Sequence, residues 1–279
     1  MRPEATSQPT ISVVIPSLNQ GRFLGRCLQS IIDQSYPHTE ILLIDGGSTD
    51  ETPQVAHEYR DHITHWVRGS DSGQGEALNK GFALATGEIF CWLNSDDYFL
   101  DGAFAAALAT FEREPAATVV YGDWLEVDES ENLIIRRYAL DFSLRQARHR
   151  AFSCLAQSMF WRREAHDRFG SFPDDIHQAI DNYLILSLII TEGPDHIVRL
   201  PTVLAAFRRH GDQKTGNIDK KAVRAEFEYI DTALDLSPRQ GLGGRLERLG
   251  LTLQRIYQYW RRAGVRYLIR FARFTASNR

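Results

Sequence analysis

Short apolar runs alternate with helical patterns along the first hundred residues. ISVVIP (11–16), EILLID (40–45) and EIFCWLN (88–94) predict buried strands, and THWVRG (64–69) predicts a weaker one. Apolar residues recur at helical spacing between these runs, for example in GQGEALNKGFALATG (73–87). Strands that alternate with helices predict a parallel sheet covered by helices.

The second half of the chain is less regular. TVVYGDW (118–124), LIIRRYAL (133–140) and QSMFWRR (157–163) predict strands, and QAIDNYLILSLII (178–190) predicts a helix. IVRLPTVLAAFRRH (197–210) predicts extended segments broken by a proline. We therefore expect a mixed α/β arrangement here, without internal repeats.

The tail predicts an amphipathic helix between Arg245 and Phe274. Leu249, Leu253, Ile256 and Trp260 share one stripe, while a second stripe collects five arginines: Arg255, Arg262, Arg266, Arg270 and Arg273. From residue 239 onward there are ten arginines and one acid, a net charge of about +9. Since the whole chain carries −4, the preceding residues carry about −13.

Composition excludes several classes of protein. The acidic body does not favour nucleic-acid binding, and Cys27, Cys91 and Cys154 lack the spacing of a disulfide framework or a zinc site. The first ten residues contain no apolar segment typical of a signal peptide, and no apolar run of about 18 residues predicts a membrane span. These features lead us to expect a cytoplasmic protein with free thiols.

Polar residues follow three of the predicted strands. They are PSLNQG (16–21), DGGSTD (45–50) and NSDD (94–97). Ligands of open α/β sheets bind at the carboxyl ends of the strands, so these segments predict one crevice. The chain has neither GxGxxG nor GxxxxGK[ST], which argues against a dinucleotide-binding fold and a P-loop.

Two adjacent acids, Asp96 and Asp97, follow the apolar strand CWL. Adjacent carboxylates repel each other, and oxygen ligands of this kind hold Mg²⁺ or Mn²⁺. The alternative is structural, with Asp96 capping a turn and Asp97 facing solvent.

Three long stretches resemble, in order, the blocks of a family 2 glycosyltransferase: ISVVIPSLNQGRFLGRCLQSIIDQSYPHTEILLIDGGSTDET, DSGQGEALNKGFALATGEIFCWLNSDDYFLDGAF and AQSMFWRREAHDRFGSFPDDIHQAIDNYLILSL. The resemblance covers residues 10–212. It implies a GT-A fold, with a mostly parallel central sheet flanked by helices, a nucleotide-sugar donor, a divalent metal and inversion at the anomeric carbon.

The same resemblance divides the chain. It implies a nucleotide-sugar-binding half at 11–100 and an acceptor-binding half of the same domain at 101–215. A flexible N-terminus at 1–10 and a basic helical extension at 216–279 complete the expected organisation.

The family's metal motif falls on Asn94, Ser95 and Asp96, with Asp97 beside it. Asn94 stands where the family has its first acid, so Asp96 is the main expected metal ligand and Asp97 the next. Asn94 is expected to bind the ribose or a metal-bound water. The expected cofactor is Mn²⁺ or Mg²⁺.

The resemblance implies ten donor-nucleotide-binding positions in this chain: Pro16, Ser17, Leu18, Asn19, Asp45, Gly46, Asp71, Asn94, Ser95 and Asp96. The chain departs from the family at Leu18, where an aromatic residue often stacks on the base, and at Gly46, where an acid often reads it. Uridine is expected on family frequency alone. Asp45 has an alternative role in an Asx turn, and Asp71 one in an exposed loop.

The family's catalytic base falls on Asp181. Asp174 and Asp175 are competing candidates for the base, and the alternative for Asp181 is a purely structural role as an acid in the first turn of a helix. Tyr183 replaces a second acid found in some relatives. His210 is expected near the metal or diphosphate, and the alternative is that it has only a structural role. Arg208, Arg209 and Lys214 are candidates for a lid over the diphosphate.

Two other functions stay open on the sequence. A sugar-phosphate nucleotidyltransferase would need a glycine-rich basic loop after the first strand, which PSLNQGRFLG does not supply. A degenerate nucleotide-sugar-binding protein is favoured by Asn94, Gly46 and Tyr183.

The expected transferase acts on a saccharide or lipid-linked acceptor in cell-surface polysaccharide biosynthesis. The tail predicts either peripheral contact of residues 245–274 with the inner face of the membrane or packing on the body. A second subunit, in a homo-oligomer, is the third option for the tail.

Overall fold

The computed structural model describes residues 8–213, 219–236 and 241–277. Most of the expected flexible N-terminus, and Lys214 of the expected lid, lie outside the described residues. Within those ranges the strands are β1 (Ile11–Ser17), β2 (Thr39–Asp45), β3 (His65–Arg68), β4 (Ile89–Trp92), β5 (Tyr98–Phe99), β6 (Val119–Val127), β7 (Leu133–Arg137), β8 (Met159–Arg162) and β9 (Ile197–Arg208). The helices are α1 (Gly21–Ile32), α2 (Thr52–Glu58), α3 (Gln74–Leu84), α4 (Ala103–Arg113), α5 (Leu144–Arg148), α6 (Arg163–Phe169), α7 (Ile180–Glu192), α8 (Lys220–Ala233) and α9 (Gly241–Ser277).

The strands form one sheet in the order β3-β2-β1-β4-β8-β6-β9-β5, with β7 paired to β6. Strands β1 to β4 are parallel, as the first-half pattern predicts. In the second half, β8 runs antiparallel to β4 and β6, while β9 is parallel to β6. Because β1, β2 and β4 are neighbours and parallel, their carboxyl ends meet at one edge of the sheet.

Apolar side chains of these strands alternate between the two faces of the sheet. Val14 and Trp92 belong to one buried cluster, and Ile15 and Cys91 belong to the other. Burial on both faces explains why the strands read as unbroken apolar runs. Burial also raises the pKa of the Cys27 and Cys91 thiols, and all three cysteines are free, as expected.

Strand β9 is continuous from Ile197 to Arg208, although the sequence predicts a break at Pro201. The pairing of β6 with β9 shifts register between Tyr121, opposite Arg199, and Asp123, opposite Val203. Pro201 lies in this irregular stretch, where the missing N–H interrupts no paired position. The strand therefore runs on to Arg208 and carries the following residues to the edge where β1 and β4 end.

The predicted tail helix is α9, which has a kink at Gly264 (φ 74°). One face lies on the rest of the protein, which we call the body, where Arg262 Nη1 is 2.9 Å from Asp123 Oδ1 and Tyr259 donates a hydrogen bond to Ser153 Oγ. Of the expected alternatives, packing on the body is met by Arg262, which pairs with an acid there, but Leu249, Leu253, Ile256 and Trp260 are exposed. None of the helices in the described ranges has the length and apolar character needed to cross a membrane.

Candidate active site

A cavity of about 400 Å³ opens at the carboxyl ends of β1 and β4, between α3 and the start of α7. It brings together eight residues that the sequence predicts for the site: Pro16, Ser17, Leu18, Asp71, Asn94, Ser95, Asp96 and Asp181. The other predicted residues do not line it: Asn19, Asp45, Gly46, Asp97 and His210. The remaining wall comes from the segments around Gln157 and His177, and from Phe207 at the end of β9.

Asn19 and Asp45 stabilise the loops that follow β1 and β2. Asn19 has φ 52° and accepts a hydrogen bond from the Thr49 amide, which joins the loops after β1 and β2. The buried Asp45 carboxylate accepts the amides of Gly47 and Ser48, the Asx turn named as its alternative role, and pairs with Arg68. A direct contact of either side chain with a nucleotide stays a prediction.

Asp71 occupies the space beside Gly46. A Cβ atom at Gly46 would lie 2.8 Å from Asp71 Oδ2, so a larger residue there competes with this carboxylate. Asp71 also accepts a hydrogen bond from the Gly73 amide at the start of α3. A carboxylate from another loop therefore lies beside position 46.

Asp96 contacts His210, which lies 114 positions later in the chain, just after the end of β9. Asp96 Oδ2 lies 2.9 Å from His210 Nε2, and His210 Nδ1 lies 3.3 Å from an Arg22 nitrogen. A guanidinium only donates hydrogen bonds, so a neutral His210 accepts at Nδ1 and donates from Nε2 to Asp96. The imidazole also rests on Phe23, with 4.7 Å between ring centroids, so its orientation is well supported.

Asp97 is buried and does not face solvent, contrary to its alternative role. Its Oδ1 accepts the Arg208 amide at 2.9 Å, and Asn94 Nδ2 lies 3.4 Å from its Oδ2. Burial, followed by the negative charge of Asp96, raises the pKa of Asp97. This carboxylate holds the end of β9 two residues before His210, and its role as a direct metal ligand stays a prediction.

Asn94 is held by two donors that the sequence analysis missed. Trp92 Nε1 and Gln74 Nε2 both donate to Asn94 Oδ1, at 2.7 and 2.8 Å. The Asn94 amide group is thereby fixed at the mouth of β4, between the cavity and Asp97. Gln74 is the first residue of α3 and directly follows Gly73. This glycine before a predicted helix is the sequence signal that would have pointed to Gln74.

Asp181 lies in the first turn of α7, on the far wall of the cavity. Its Oδ1 accepts the Asn182 amide at 2.8 Å, and burial raises the pKa of its carboxyl group. The competitors Asp174 and Asp175 are exposed, and Tyr183 packs against Phe169.

Glu226 is the main supporting residue that sequence reasoning missed. This buried acid on α8 accepts backbone hydrogen bonds from His177 (3.1 Å), Gln178 (2.9 Å) and Ala179 (2.7 Å), the segment that leads into Asp181. No local pattern marks it, because its partners lie 47 to 49 positions earlier.

No group of three or more His, Cys, Asp or Glu side chains arranged for a metal occurs among the described residues. Asp96 and His210 nevertheless offer a carboxylate oxygen and an imidazole nitrogen side by side, a donor set that suits Mn²⁺. A cation here needs further ligands from a substrate or water.

The family model described as glycosyl transferase family 2 matches residues 12–172, more than half of the chain. The chain belongs to glycosyltransferase family 2. This glycosyltransferase is 34% identical over 222 residues to the PGL/p-HBAD biosynthesis glycosyltransferase of Mycobacterium bovis, covering 77% of this chain and 83% of the relative. It is also 29% identical over 182 residues to chondroitin synthase of Escherichia coli, covering 64% of this chain and 26% of that enzyme.

Solved structures of glycosyltransferases share the fold. TarS 1–349 of S. aureus in complex with UDP-GlcNAc matches with a TM-score of 0.67 and 17% identity, over 90% of this chain and 72% of that one. A second match is glucosyl-3-phosphoglycerate synthase of Mycobacterium tuberculosis, in complex with Mn²⁺, UDP and glucosyl-3-phosphoglycerate. Its TM-score is 0.55 and its identity 18%, over 84% of this chain and 82% of that one. The predicted GT-A fold is confirmed, and family membership favours the transferase over the nucleotidyltransferase.

Proposed function

We propose that this family 2 glycosyltransferase transfers a sugar, with inversion and with Mn²⁺ or Mg²⁺, from a UDP-sugar to a hydroxyl group of a saccharide or lipid-linked acceptor. The observation that carries the proposal is that one cavity holds both Asp96, on its strand-end wall, and Asp181, on its helix wall. A donor bound at the strand ends would present its anomeric carbon between these two acids.

Asp96 and His210 are the proposed cation ligands. Binding would replace the proton that His210 Nε2 shares with Asp96, since a metal-binding nitrogen must be deprotonated. A bound divalent cation supplies positive charge that stabilises the departing diphosphate. Two related structures contain Mn²⁺: that synthase and the mannosyltransferase PcManGT of Pyrobaculum calidifontis, which also contains GDP-Man.

The nucleotide is proposed to lie against Pro16, Ser17 and Leu18, with Asp71 beside Gly46 as the base-reading acid. A carboxylate accepts the ring N–H of uracil, whereas the corresponding ring nitrogen of cytosine is itself an acceptor and would be repelled. This preference agrees with the UDP complexes of TarS and the synthase.

Asp181 is proposed to remove the proton from the acceptor hydroxyl. The hydroxyl oxygen attacks the anomeric carbon, the bond from that carbon to the diphosphate oxygen breaks, and the proton passes to the Asp181 carboxylate. Burial raises the pKa of Asp181, which makes this carboxylate a stronger base than an exposed one. Gln157, His177 and Gln178 line the same wall and would contact the acceptor.

The proposed setting is cell-surface glycan biosynthesis. The relatives named for PGL/p-HBAD biosynthesis and for chondroitin synthesis support it.

A donor panel tests the proposal. The purified protein is incubated with UDP-, GDP- and CDP-sugars and saccharide acceptors, with Mn²⁺, Mg²⁺ or a chelator, and the released nucleotide and glycosylated product are measured. We expect UDP release that depends on both cation and acceptor, and proton NMR should show inverted anomeric configuration. Donor binding without transfer to any acceptor would instead indicate the degenerate binding protein.

A further inference from the structure

The solvent face of α9 carries a continuous apolar ridge. We define the α9 ridge as seven side chains before the kink at Gly264, each between 46% and 73% exposed: Leu242, Leu246, Leu249, Leu253, Ile256, Tyr257 and Trp260. At 100° per residue they fall on one side of the helix. A single exposed leucine needs no explanation, but a contiguous ridge of this length marks an interaction surface.

The ridge cannot turn inward, because the opposite face of α9 is attached to the body. Leu251 and Tyr259 are buried, and Glu247 pairs with Arg145 at 3.1 Å. Arg262 binds both carboxylate oxygens of Asp123, whose side chain is completely buried. Rotation of the helix would leave that buried charge with fewer partners, which is costly.

Both flanks of the ridge are cationic. Helical geometry puts Arg245 and Arg248 on one side and Arg261 on the other, and all three are exposed. Between residues 241 and 275, all within the described part of the chain, the one acid is Glu247, which faces Arg145 and His149 of the body. The solvent side of α9 therefore combines apolar side chains with positive charge alone.

We propose that the α9 ridge docks on an anionic lipid bilayer, with its apolar side chains at the boundary between headgroups and acyl chains and its arginines at the phosphates. Charge decides between this occupant and a second copy of the chain. Two copies joined through the ridge would bring their arginines into one rim without opposing acids, whereas anionic headgroups neutralise them. Tyr257 and Trp260 carry the amphipathic rings that suit a membrane–water interface.

The docking itself does not depend on the proposed transfer reaction. If both hold, the body and its acceptor cavity would stand at the surface where a lipid-linked acceptor lies. That consequence deepens the proposed function towards lipid-linked acceptors and rests on it.

Vesicle flotation of the full chain tests the docking. The probes are phosphatidylcholine vesicles with and without phosphatidylglycerol, at low and high salt. We expect the wild type to float with the anionic vesicles at low salt, and to be released by salt. Absence of binding to anionic vesicles would overturn the proposal.

A matched pair of variants separates the ridge from charge. Leu253→Glu and Gln254→Glu add the same charge to neighbouring exposed positions, but only the first lies on the ridge. Leu253→Glu should lower the vesicle partition coefficient about tenfold or more, and Gln254→Glu far less. Equal losses in both variants would contradict docking through the ridge.

The remaining arms address the arginines and the alternative occupant. Arg245→Gln and Arg261→Gln should each lower binding to anionic vesicles by about fivefold and leave binding to neutral vesicles unchanged.

A wild-type dimer in light scattering that Leu253→Glu converts to a monomer, without any vesicle binding, would assign the ridge to a second copy. UDP release with a soluble acceptor, measured without vesicles, should be equal in all variants, so a failure of docking is distinguishable from a failure of the proposed reaction.

Discussion

The two walls of the cavity are held in place in different ways. The strand-end wall, with Pro16, Ser17 and Asn94, is stabilised by contacts among residues of the first hundred positions. The helix wall around Asp181 depends on Glu226 of α8, which lies outside the segment matched by the family model. The difference teaches that the strand-end wall is held mainly within the first hundred residues, apart from the contacts of Asp96 and Asp97 with the end of β9, whereas the helix wall requires the C-terminal extension.

The largest effect should come from Asp96, which lies on the strand-end wall and contacts His210. Asp96→Ala removes the proposed cation ligand and the partner of His210, so we expect turnover to fall by about 1,000-fold or more. Initial rates against Mn²⁺ concentration measure this. The exposed Asp101→Asn serves as the control, and an Asp96→Ala protein with a near wild-type rate would remove Asp96 from the cation site.

Asp181→Asn tests the helix wall directly. It preserves size but cannot accept the proton, so kcat should fall by about 100-fold or more while donor affinity barely changes. The exposed competitor Asp174→Asn should leave kcat unchanged.

The same acid predicts a pH dependence. Burial raises the pKa of Asp181, and its charged form is the active base. In the wild type, kcat/KM should therefore decline as pH falls through a pKa above that of an ordinary aspartate. A weaker donor affinity with unchanged kcat in Asp181→Asn would make Asp181 a binding residue instead.

Substitution of Glu226 tests whether the helix wall around Asp181 depends on the C-terminal extension. Glu226→Gln weakens charge-assisted hydrogen bonds to three amides, and we expect a fall of about tenfold in kcat with the donor KM unchanged. Glu228→Gln changes an exposed acid on the same helix and should have no effect. Comparable losses in kcat and donor affinity, in step with a lowered urea midpoint, would show a general loss of stability rather than a positioning role.

The smallest effect should appear on the nucleotide side. Gly46→Ala brings a methyl group against Asp71 Oδ2, so we expect the donor KM to rise roughly fivefold with little change in kcat. Gly69→Ala, which meets open space, is the control. If Asp71 is the affected partner, Gly46→Ala should add almost nothing in an Asp71→Ala background, whereas additive effects would place the cause elsewhere.

The sequence by itself determined those features that local periodicity encodes. Unbroken apolar runs predicted β1, β2 and β4, and the rule for parallel sheets brought Ser17, Asn94 and Asp96 to one edge. The 3.6-residue period predicted α9 and the helix that carries Asp181, whereas the family resemblance singled out Asp181 itself. Each of these rests on residues that are close in the chain, so the pattern carries the information.

The resemblance pointed to Asp96 and His210, but only the tertiary structure decided how the two adjacent acids are partnered and which acid supports the far wall of the cavity. Asp96 and Asp97 are neighbours of the same type, and the docking of β9 separates them, because the Arg208 amide engages Asp97 while His210 meets Asp96. Glu226 reaches its amides only after α8 has packed near α7. Such long-range pairings follow from the combined burial of many side chains, and no short stretch of sequence records that sum.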